Sequence, residues 1–447
     1  MRFCIMDKYK SHNKEIGKLL KEDYSTGDID KIYKLLQEEG TFDFKAFDNG
    51  LFPATTPKSQ NQHTNYDKVW VRDNIYIANA FYENFYIRQS KQTLYSLSDF
   101  FFKYKEKFQK IIDGTLSPHN PMERPHIRFD GTHLAELNEK WPHAQNDALG
   151  YYLWLMFKMA NNSDFGFRNK EIELVPLLIS YFDKISYWED EDSGHWEETR
   201  KIESSSIGAV LCALFEIKKY LNTKAFSGKR LINSDQILIE KLINKGINSL
   251  THILPFECIQ KEKNKYRKVD AAQLFLIYPL GLFENVIKDE KLEETILRNV
   301  LTRLKGEYGI KRYIGDSFWT ADAKKKQKQS EITADYSNKI EERNKKHRMG
   351  EEAQWCIFDS IVSAIYGKRF LRKGSKKDYT QQVHYFNRAL AQITGDDCKY
   401  GAFKFPELYY LKDGEYTYND IVPLLWAQAN LWLAFNELKC SVKSNVT

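Results

Sequence analysis

The sequence predicts an all-α domain in which an outer ring of helices surrounds an inner ring. Amphipathic segments recur along the 447 residues, each with apolar positions at the helical spacing i, i+3, i+4 and i+7. They alternate with segments that are apolar on nearly all sides, and a helix without a polar face must be buried on most sides. Convincing strand-like alternation is scarce, so an all-α fold fits the sequence better than an α/β fold.

The amphipathic segments are typified by residues 207–222. Ile207, Val210 and Leu214 share one face of the predicted helix, and the serines at 204–206 directly before it are good N-cap residues. Similar segments occur at 10–21, 75–90, 92–113, 171–187, 235–252, 287–305 and 376–394. A single apolar face suits helices of the outer layer.

The segments that are apolar on nearly all sides are predicted to form the inner layer. They occupy residues 148–160, 271–283, 353–367 and 422–435. Long aromatic and polar loops separate the helices, at 43–73, 115–143, 188–203, 254–269, 306–350 and 396–420. Loops longer than about 12–15 residues are usually functional or disordered, so we expect several of them to build a site at one end of the helix barrel.

The chain shows no linker that divides it into several domains. We expect a helical segment at 1–44, followed by one large domain at 45–440. Residues 321–349 are highly charged and poor in apolar side chains, which predicts a mobile surface insertion instead of a binding element.

The composition favours a soluble cytoplasmic protein. Basic residues number 67 and acidic residues 61, a small imbalance without the concentrated basic stripe of a nucleic-acid-binding protein. The six cysteines are scattered, without a CxxC or a Cys/His spacing suited to zinc, so we expect a reducing compartment, no metal and no cofactor. The longest apolar run, Tyr151–Phe157, is far below the ~20 residues that span a bilayer, which predicts no membrane partner. No pattern predicts an oligomeric state.

Two loop segments place polar pairs beside tryptophans at predicted helix starts. In "YDKVWVRDNIY", Arg72 and Asp73 follow Trp70; they suit either a helix N-terminus, where an acid favours the dipole, or a polar fork for sugar hydroxyls. In "KWPHAQNDALGYY", Trp141 precedes Asn and Asp residues that also suit an N-cap. His143 has no second ligand at metal spacing, so we interpret it as polar lining or as a surface histidine.

Two further segments supply isolated carboxylates. "GHWEETRKIESSS" contains Glu197 and Glu198, which form either a solvated acidic turn or a site in which a tryptophan holds one carboxyl protonated. "GAFKFPELYYLKDG" contains Glu407, either a buried glutamate satisfied by local N–H groups or a functional base. Two carboxylates that flank a scissile bond are the minimum for glycoside hydrolysis.

In their order along the chain, these segments resemble the catalytic domain of glycoside hydrolase family 15, the glucoamylase family. They also resemble the related N-terminal domain of the phosphorylase kinase regulatory α and β subunits. The resemblance covers roughly residues 45–437 and is most specific in "GLFPATTP" and "YDKVWVRDNIY". It continues through "HIRFDG", "WPHAQNDALGYYLW", "HWEETRKIESSSIGA", "KVDAAQLFLIYPL", "GEYGIKRYIGDSFW", "GEEAQWCIFD", "FPELYYL" and "VPLLWAQANLWLA".

The resemblance implies an (α/α)6 toroid with its active site at the mouth of the barrel and an inverting mechanism. Glu197 matches the general acid and Glu407 the general base. Arg72 and Asp73 match the pair that binds hydroxyls of the terminal sugar, and Glu198 matches a neighbouring residue that helps to hold substrate. Trp141 and Arg312 match positions that line the substrate pocket.

We therefore expect an exo-acting hydrolase that releases glucose from the non-reducing end of an α-glucan or a small α-glucoside. An inverting pair needs room for a water, so the two carboxyl groups are predicted to lie ~6.5–9.5 Å apart. Two alternatives stay open: a non-catalytic carbohydrate-sensing or regulatory module, and a helical scaffold whose glutamates are incidental.

Overall fold

The protein is described by a computed structural model that covers residues 8–56, 66–223, 235–326 and 348–445. It is mainly helical, and its strands are short, as the sequence predicts. The helices are α1 (Lys14–Leu19), α2 (Thr26–Glu38), α3 (Val71–Glu83), α4 (Ile87–Lys103), α5 (Lys105–Ile112), α6 (Asn146–Asn161), α7 (Asn169–Lys184), α8 (Ser204–Asn222), α9 (Asp235–Ile253), α10 (Gln273–Ile277), α11 (Leu282–Asn285), α12 (Glu290–Arg303), α13 (Ala323–Lys326), α14 (Ile357–Lys373), α15 (Lys376–Ala391) and α16 (Leu425–Asn445).

The inner ring consists of α3, α6, α8, α10, α14 and α16. Each helix packs against the next one in this order, and α16 packs back against α3, so the ring is closed. These helices are buried on most sides; in α6, every residue from Asn146 to Ala160 except Lys158 is buried. The predicted (α/α)6 toroid is confirmed.

The outer ring covers the inner one with helices that bury a single face. Helix α4 packs on α3, α9 on α8, α12 on α10, α15 on α14, and α2 on α16, while α7 packs against α4 and α5. In α4 the buried face includes Leu94, Leu97 and Phe101, which follow the helical period. The remaining N-terminal helix, α1, packs against α15.

Two amphipathic segments lie in the inner ring, where the sequence predicts outer helices. They are α3 and α8, and the polar residues of their first turns are buried instead of solvated. Asn74 in α3 bonds to the backbone of Phe52, and the hydroxyls of Ser204 and Ser205 in α8 donate to Glu257. Buried polar groups that find such partners satisfy the need for hydrogen bonds, so polarity alone does not mark a solvent face.

The predicted inner helix at 271–283 is divided into α10 and α11. Pro279 has no backbone N–H to continue the helical ladder, and Gly281 adopts a left-handed conformation with φ 64°. Helix α10, with five residues, is therefore the shortest helix of the inner ring. Most of the predicted insertion at 321–349 lies outside the described residues, as does the start of the segment at 1–44.

The inner helices begin at the same end of the toroid, and two small antiparallel sheets lie there. One joins β1 (Val69–Trp70), β2 (Arg128–Asp130) and β3 (Ala135–Glu136), and the other joins β4 (Gln354–Trp355), β5 (Leu408–Lys412) and β6 (Glu415–Tyr418). Five of these strands belong to the loops that the sequence predicts to build a site. The exception is β4, which lies at the start of the segment 353–367 that the sequence predicts as an inner helix. In the described part of the chain, no helix combines the length and the apolar content that crossing a membrane requires.

Helices α6 and α8 approach so closely at Gly150 that the site has no room for a side chain. A Cβ atom there would lie 2.7 Å from the backbone of Ala209 and of Val210. We expect Gly150→Ala to lower the free energy of unfolding by about 1–3 kcal/mol, since the two backbones must separate. Urea denaturation measures this, with Gly166→Ala as the control because no atom lies within 4 Å of its Cβ position. Equal effects of the two substitutions would contradict the prediction.

Candidate active site

A pocket lies at the N-terminal ends of the inner helices. All the site residues predicted from the sequence line it except Glu198, so residues distant in sequence meet here. Aromatic rings make up much of the remaining wall. The aromatic residues of the wall, beside Trp141, are Tyr66, Trp70, Trp196, Phe318, Trp355 and Trp426.

Glu197 follows a short 3₁₀-helix, Gly194–Trp196, and sits in a left-handed conformation with φ 58°. Gly194 also has a positive φ, 53°, and a Cβ atom there would lie 1.5 Å from Oε2 of Glu203. The position therefore requires glycine. This tight bend separates two neighbouring glutamates: Glu197 lines the pocket, whereas Glu198 lines a cavity beside it.

The Glu197 side chain is only 16% exposed. In the described structure its Oε1 has no hydrogen-bond partner, and this oxygen lies 4.0 Å from Nη1 of Arg72. Burial raises the pKa of Glu197, while the charges of Arg72 and Arg128 and hydrogen bonds from Gln145 and Trp70 oppose that rise. A carboxyl group with a raised pKa keeps its proton at higher pH and can donate it, as a general acid must.

Glu407 stands directly before β5 and is held by two donors. Its Oε1 accepts from the Tyr66 hydroxyl at 2.9 Å, and its Oε2 accepts from Nδ2 of Asn419 at 2.5 Å. Burial raises the pKa of Glu407 to about 7, and the hydrogen bonds from Tyr66 and Asn419 lower it. Both donors favour the ionised form, which is the form that a general base needs.

Arg72 and Asp73 occupy the first turn of α3. Arg72 donates from Nε to Asp147 at 2.6 Å, and from Nη2 to Gln145 at 2.8 Å and to the Gly194 carbonyl at 3.0 Å. Within the described residues, no side chain hydrogen-bonds to the Asp73 carboxylate, and burial raises its pKa to about 7. Arg72 is thus fixed by protein groups, and Asp73 is the member of the pair that can accept from a ligand.

Arg312 also reaches the pocket already paired. Its Nε and Nη2 donate to both carboxylate oxygens of Asp316, at 2.7 and 2.6 Å, and Nη2 donates to Glu198 at 3.2 Å. Glu198 in turn accepts from the Tyr313 hydroxyl at 2.6 Å. The structure therefore places Glu198 behind Arg312 and not on the pocket wall, because the guanidinium and the tyrosine hydroxyl draw its carboxylate away.

Several residues of the site were not predicted from the sequence. Trp355 and Trp426 belong to segments that read as buried core. Asn419 lies directly after β6, the strand that pairs with β5 beside Glu407, and the Asp-Gly pair at 413–414 is the turn signal that could have revealed it. His143 is buried, stacks on His126 at 3.7 Å and is absent from the pocket wall, so neither sequence interpretation of it is correct.

A second buried histidine, His195, does line the pocket. Its Nε2 lies 2.9 Å from the Tyr151 hydroxyl and 3.6 Å from Oδ2 of Asp147. Burial lowers the pKa of His195 to about 3, so the ring is neutral near pH 7. No group of three or more His, Cys, Asp and Glu side chains able to hold one metal ion occurs in the part of the chain described.

The hydrogen bond from Asn419 stabilises ionised Glu407, so we expect Asn419→Ala to raise the pKa of Glu407 further above its ordinary value. Infrared difference spectroscopy of the carboxyl band, assigned with Glu407→Gln, measures this pKa. Thr417→Ala on the same hairpin is the control and should leave it unchanged. A pKa that stays the same, or falls, in Asn419→Ala would contradict the prediction.

Similar sequences include regulatory subunits of phosphorylase b kinase. The chain is 26% identical over 298 residues to the probable regulatory subunit alpha of Drosophila melanogaster, which covers 61% of this chain and 22% of that protein. It is 22% identical over 415 residues to the skeletal muscle isoform of Rattus norvegicus, with 85% and 29% covered. An uncharacterized lipoprotein of Escherichia coli strain K12, YgeQ, is 27% identical over 214 residues, which are 42% of this chain and 80% of the lipoprotein. The chain thus spans less than a third of each of these kinase subunits.

Similar solved structures are glycosidases and glucoamylases. A wild-type glycosidase superposes with a TM-score of 0.67 at 13% identity, covering 93% of this chain and 99% of the other. The glucoamylase of Saccharomycopsis fibuligera gives 0.57 at 12% identity, with 95% and 97% covered. A bacterial glucoamylase complexed with acarbose gives 0.55 at 14% identity, with 88% and 53% covered. At these identities the likeness establishes the fold.

The sequence profile of glycosyl hydrolases family 15 matches residues 40–354. This range covers most of the chain and includes the segments that carry Arg72, Trp141, Glu197 and Arg312. The protein belongs to glycosyl hydrolases family 15.

Proposed function

We propose that this protein is an exo-acting glycoside hydrolase that cleaves α-glucosidic bonds at a non-reducing end with inversion of configuration. The observation that carries the proposal is a pair of carboxyl groups on the wall of one pocket, Glu197, whose side chain is 16% exposed, and Glu407, which is buried. Their surroundings differ: Glu197 has an oxygen without a partner, whereas Glu407 is held by two hydrogen-bond donors. Different surroundings are what separate an acid from a base in such a pair.

In the proposed reaction, protonated Glu197 donates its proton to the glycosidic oxygen as the bond from that oxygen to the anomeric carbon breaks. Ionised Glu407 accepts a proton from a water that attacks the anomeric carbon from the opposite face. The attack transfers the water oxygen to the sugar, and the leaving group departs as an alcohol. Tyr66 and Asn419 orient the Glu407 carboxylate toward that water, since each holds one of its oxygens.

The rest of the pocket supports binding of a single terminal sugar. Asp73 is available to accept from sugar hydroxyls, and the aromatic wall suits the C–H faces of the ring. The inner helices direct their N-terminal ends at the pocket, and these ends carry partial positive charge. This partial positive charge favours the binding of an oxygen-rich ligand, and it also favours the ionised form of Glu407.

The second candidate is a carbohydrate-sensing module that does not turn substrate over. It is favoured by the similarity to kinase regulatory subunits, whose names describe regulation and not hydrolysis. The presence of both Glu197 and Glu407 favours the hydrolase, because a site that only binds sugar needs no acid and base pair.

Removal of either carboxyl group should abolish turnover. We expect the purified protein to release β-glucose from maltooligosaccharides, isomaltose or trehalose, and Glu197→Gln and Glu407→Gln each to lower the rate by about 100-fold or more. NMR of the anomeric protons identifies the first product. Glu189→Gln, an exposed glutamate of the same loop, is the control.

Initial release of α-glucose would contradict inversion. Sugar binding without turnover on any of these substrates would favour the sensing module, and no sugar binding at all would leave a helical scaffold.

The raised pKa of Glu407 predicts how activity depends on pH. A base works when ionised, and a carboxyl with a raised pKa loses that form as the pH falls through it, here about 7. We expect kcat/KM to fall about tenfold per pH unit below that value. This acidic limb of the pH–rate profile should move to higher pH in Asn419→Ala. A pH–rate profile of both proteins measures this, and a limb near the ordinary glutamate pKa would contradict it.

A further inference from the structure

Arg128 is a buried arginine beside the pocket that the reaction above does not use. It lies on β2, paired across the sheet with Trp70, and is 1% exposed. Its guanidinium stacks over the rings of Trp141 at 4.2 Å and of Trp70 at 5.0 Å. Both rings line the pocket together with Glu197, so Arg128 forms the layer directly behind that wall.

The arginine presents an unused pair of donors. Nε and Nη2 form the edge of a guanidinium that grips a carboxylate with two parallel hydrogen bonds. Arg312 fills this edge with Asp316, and Arg72 fills it with Asp147 and Gln145. In Arg128 both atoms are buried and lack any hydrogen-bond partner in the described structure. An unpaired cationic edge in the interior is costly, so its presence calls for a function.

Glu197, the proposed acid of the pocket, has an oxygen that lacks a hydrogen-bond donor. Oε1 of Glu197 is also buried without a hydrogen-bond partner. The positive charges that act on Glu197 come from Arg72, on α3, and from Arg128, on β2, and both lower its pKa against the effect of burial. Asp73 carries a charge of the same sign as Glu197, and the repulsion between the two carboxylates raises the pKa of Asp73.

The two arginines differ in how far their charge is cancelled. Arg72 is paired at 2.6 Å with Asp147, whose side chain is fully buried. Arg128 makes its ion pair through Nη1, at 2.8 Å, with Glu139, whose side chain is 48% exposed. Solvent screens an exposed carboxylate strongly, whereas a charge enclosed by protein keeps its field over longer distances. Arg128 is therefore the less compensated cation behind this wall.

We propose that Arg128 is a positioning residue for Glu197: its charge, held behind the indole rings of Trp70 and Trp141, tunes how firmly the acid keeps its proton. This rests on the proposed function, in which Glu197 is the general acid. Without Arg128, burial would act on Glu197 with one opposing cation fewer. The acid would then keep its proton to higher pH and release it less readily to the leaving oxygen.

The test compares Arg128→Met, which keeps an apolar stem against the two rings, with Arg128→Lys, which keeps the charge. Activity that needs protonated Glu197 is lost as pH rises, so this group sets the alkaline limb of the kcat/KM profile. We expect the limb to move up by about half a pH unit or more in Arg128→Met, and clearly less in Arg128→Lys. Arg168→Met removes a cation stacked over Tyr95, remote from the pocket, and is the matched control.

A purely structural role would lower kcat or thermal stability in Arg128→Met and leave the limb in place, which would overturn the proposal. A limb that moves to lower pH would overturn it as well. Infrared titration of the Glu197 carboxyl band, assigned with Glu197→Gln, provides a readout without substrate and should shift upward in Arg128→Met. If the wild type hydrolyses none of the sugars, the proposed function fails, while this titration still decides the role of Arg128.

Discussion

The pocket depends on one buried ion pair, in which Arg72 donates to Asp147. The pair joins the first turn of α3 to the first turn of α6, and the same guanidinium donates to the Gly194 carbonyl at 3.0 Å. The bend that carries Glu197 is thereby tied to two helices of the inner ring. Removal of one partner of a buried ion pair typically costs about 3–5 kcal/mol, since the other charge is left uncompensated. The geometry of Glu197, the proposed acid, for this reason depends on the packing of the toroid.

The same enclosure sets the electrostatics of the site. Arg72 and Arg312 enter the pocket wall already paired with Asp147 and Asp316. Their charge still lowers the pKa of Glu197 and of Glu407, respectively, against the effect of burial. The remaining carboxyl groups lie in a desolvated space, and burial is the largest cause of the raised pKa of Asp73 and of Glu407. Acid and base chemistry near neutral pH requires raised values of this kind.

More of the fold than of the site could be predicted from the sequence. Helical periodicity and the apolar segments were sufficient for two helical layers, because each layer has a burial pattern of its own. They misassigned α3 and α8, whose first turns carry polar residues that are buried inside the protein, a fact that only the tertiary structure contains. At the site, motif resemblance identified residues such as Glu197 and Glu407. It could not show that Glu198 turns toward Arg312, or that Arg128 stacks behind Trp141, because both depend on side-chain packing across distant segments.

The hairpin of β5 and β6 has a consequence for how such a protein can change. Glu407 and Asn419 lie at its two ends, and the proposed acid Glu197 lies in a loop, whereas the helices that form the toroid do not contain these residues. The two proposed catalytic carboxylates thus lie outside the helices of the framework. A single substitution at one of these carboxylates can remove a hydrolytic reaction while the protein keeps its fold and its pocket. Such a pocket can then serve as a regulatory binding site. The similarity of this chain to both glucoamylases and kinase regulatory subunits is consistent with a change of this kind.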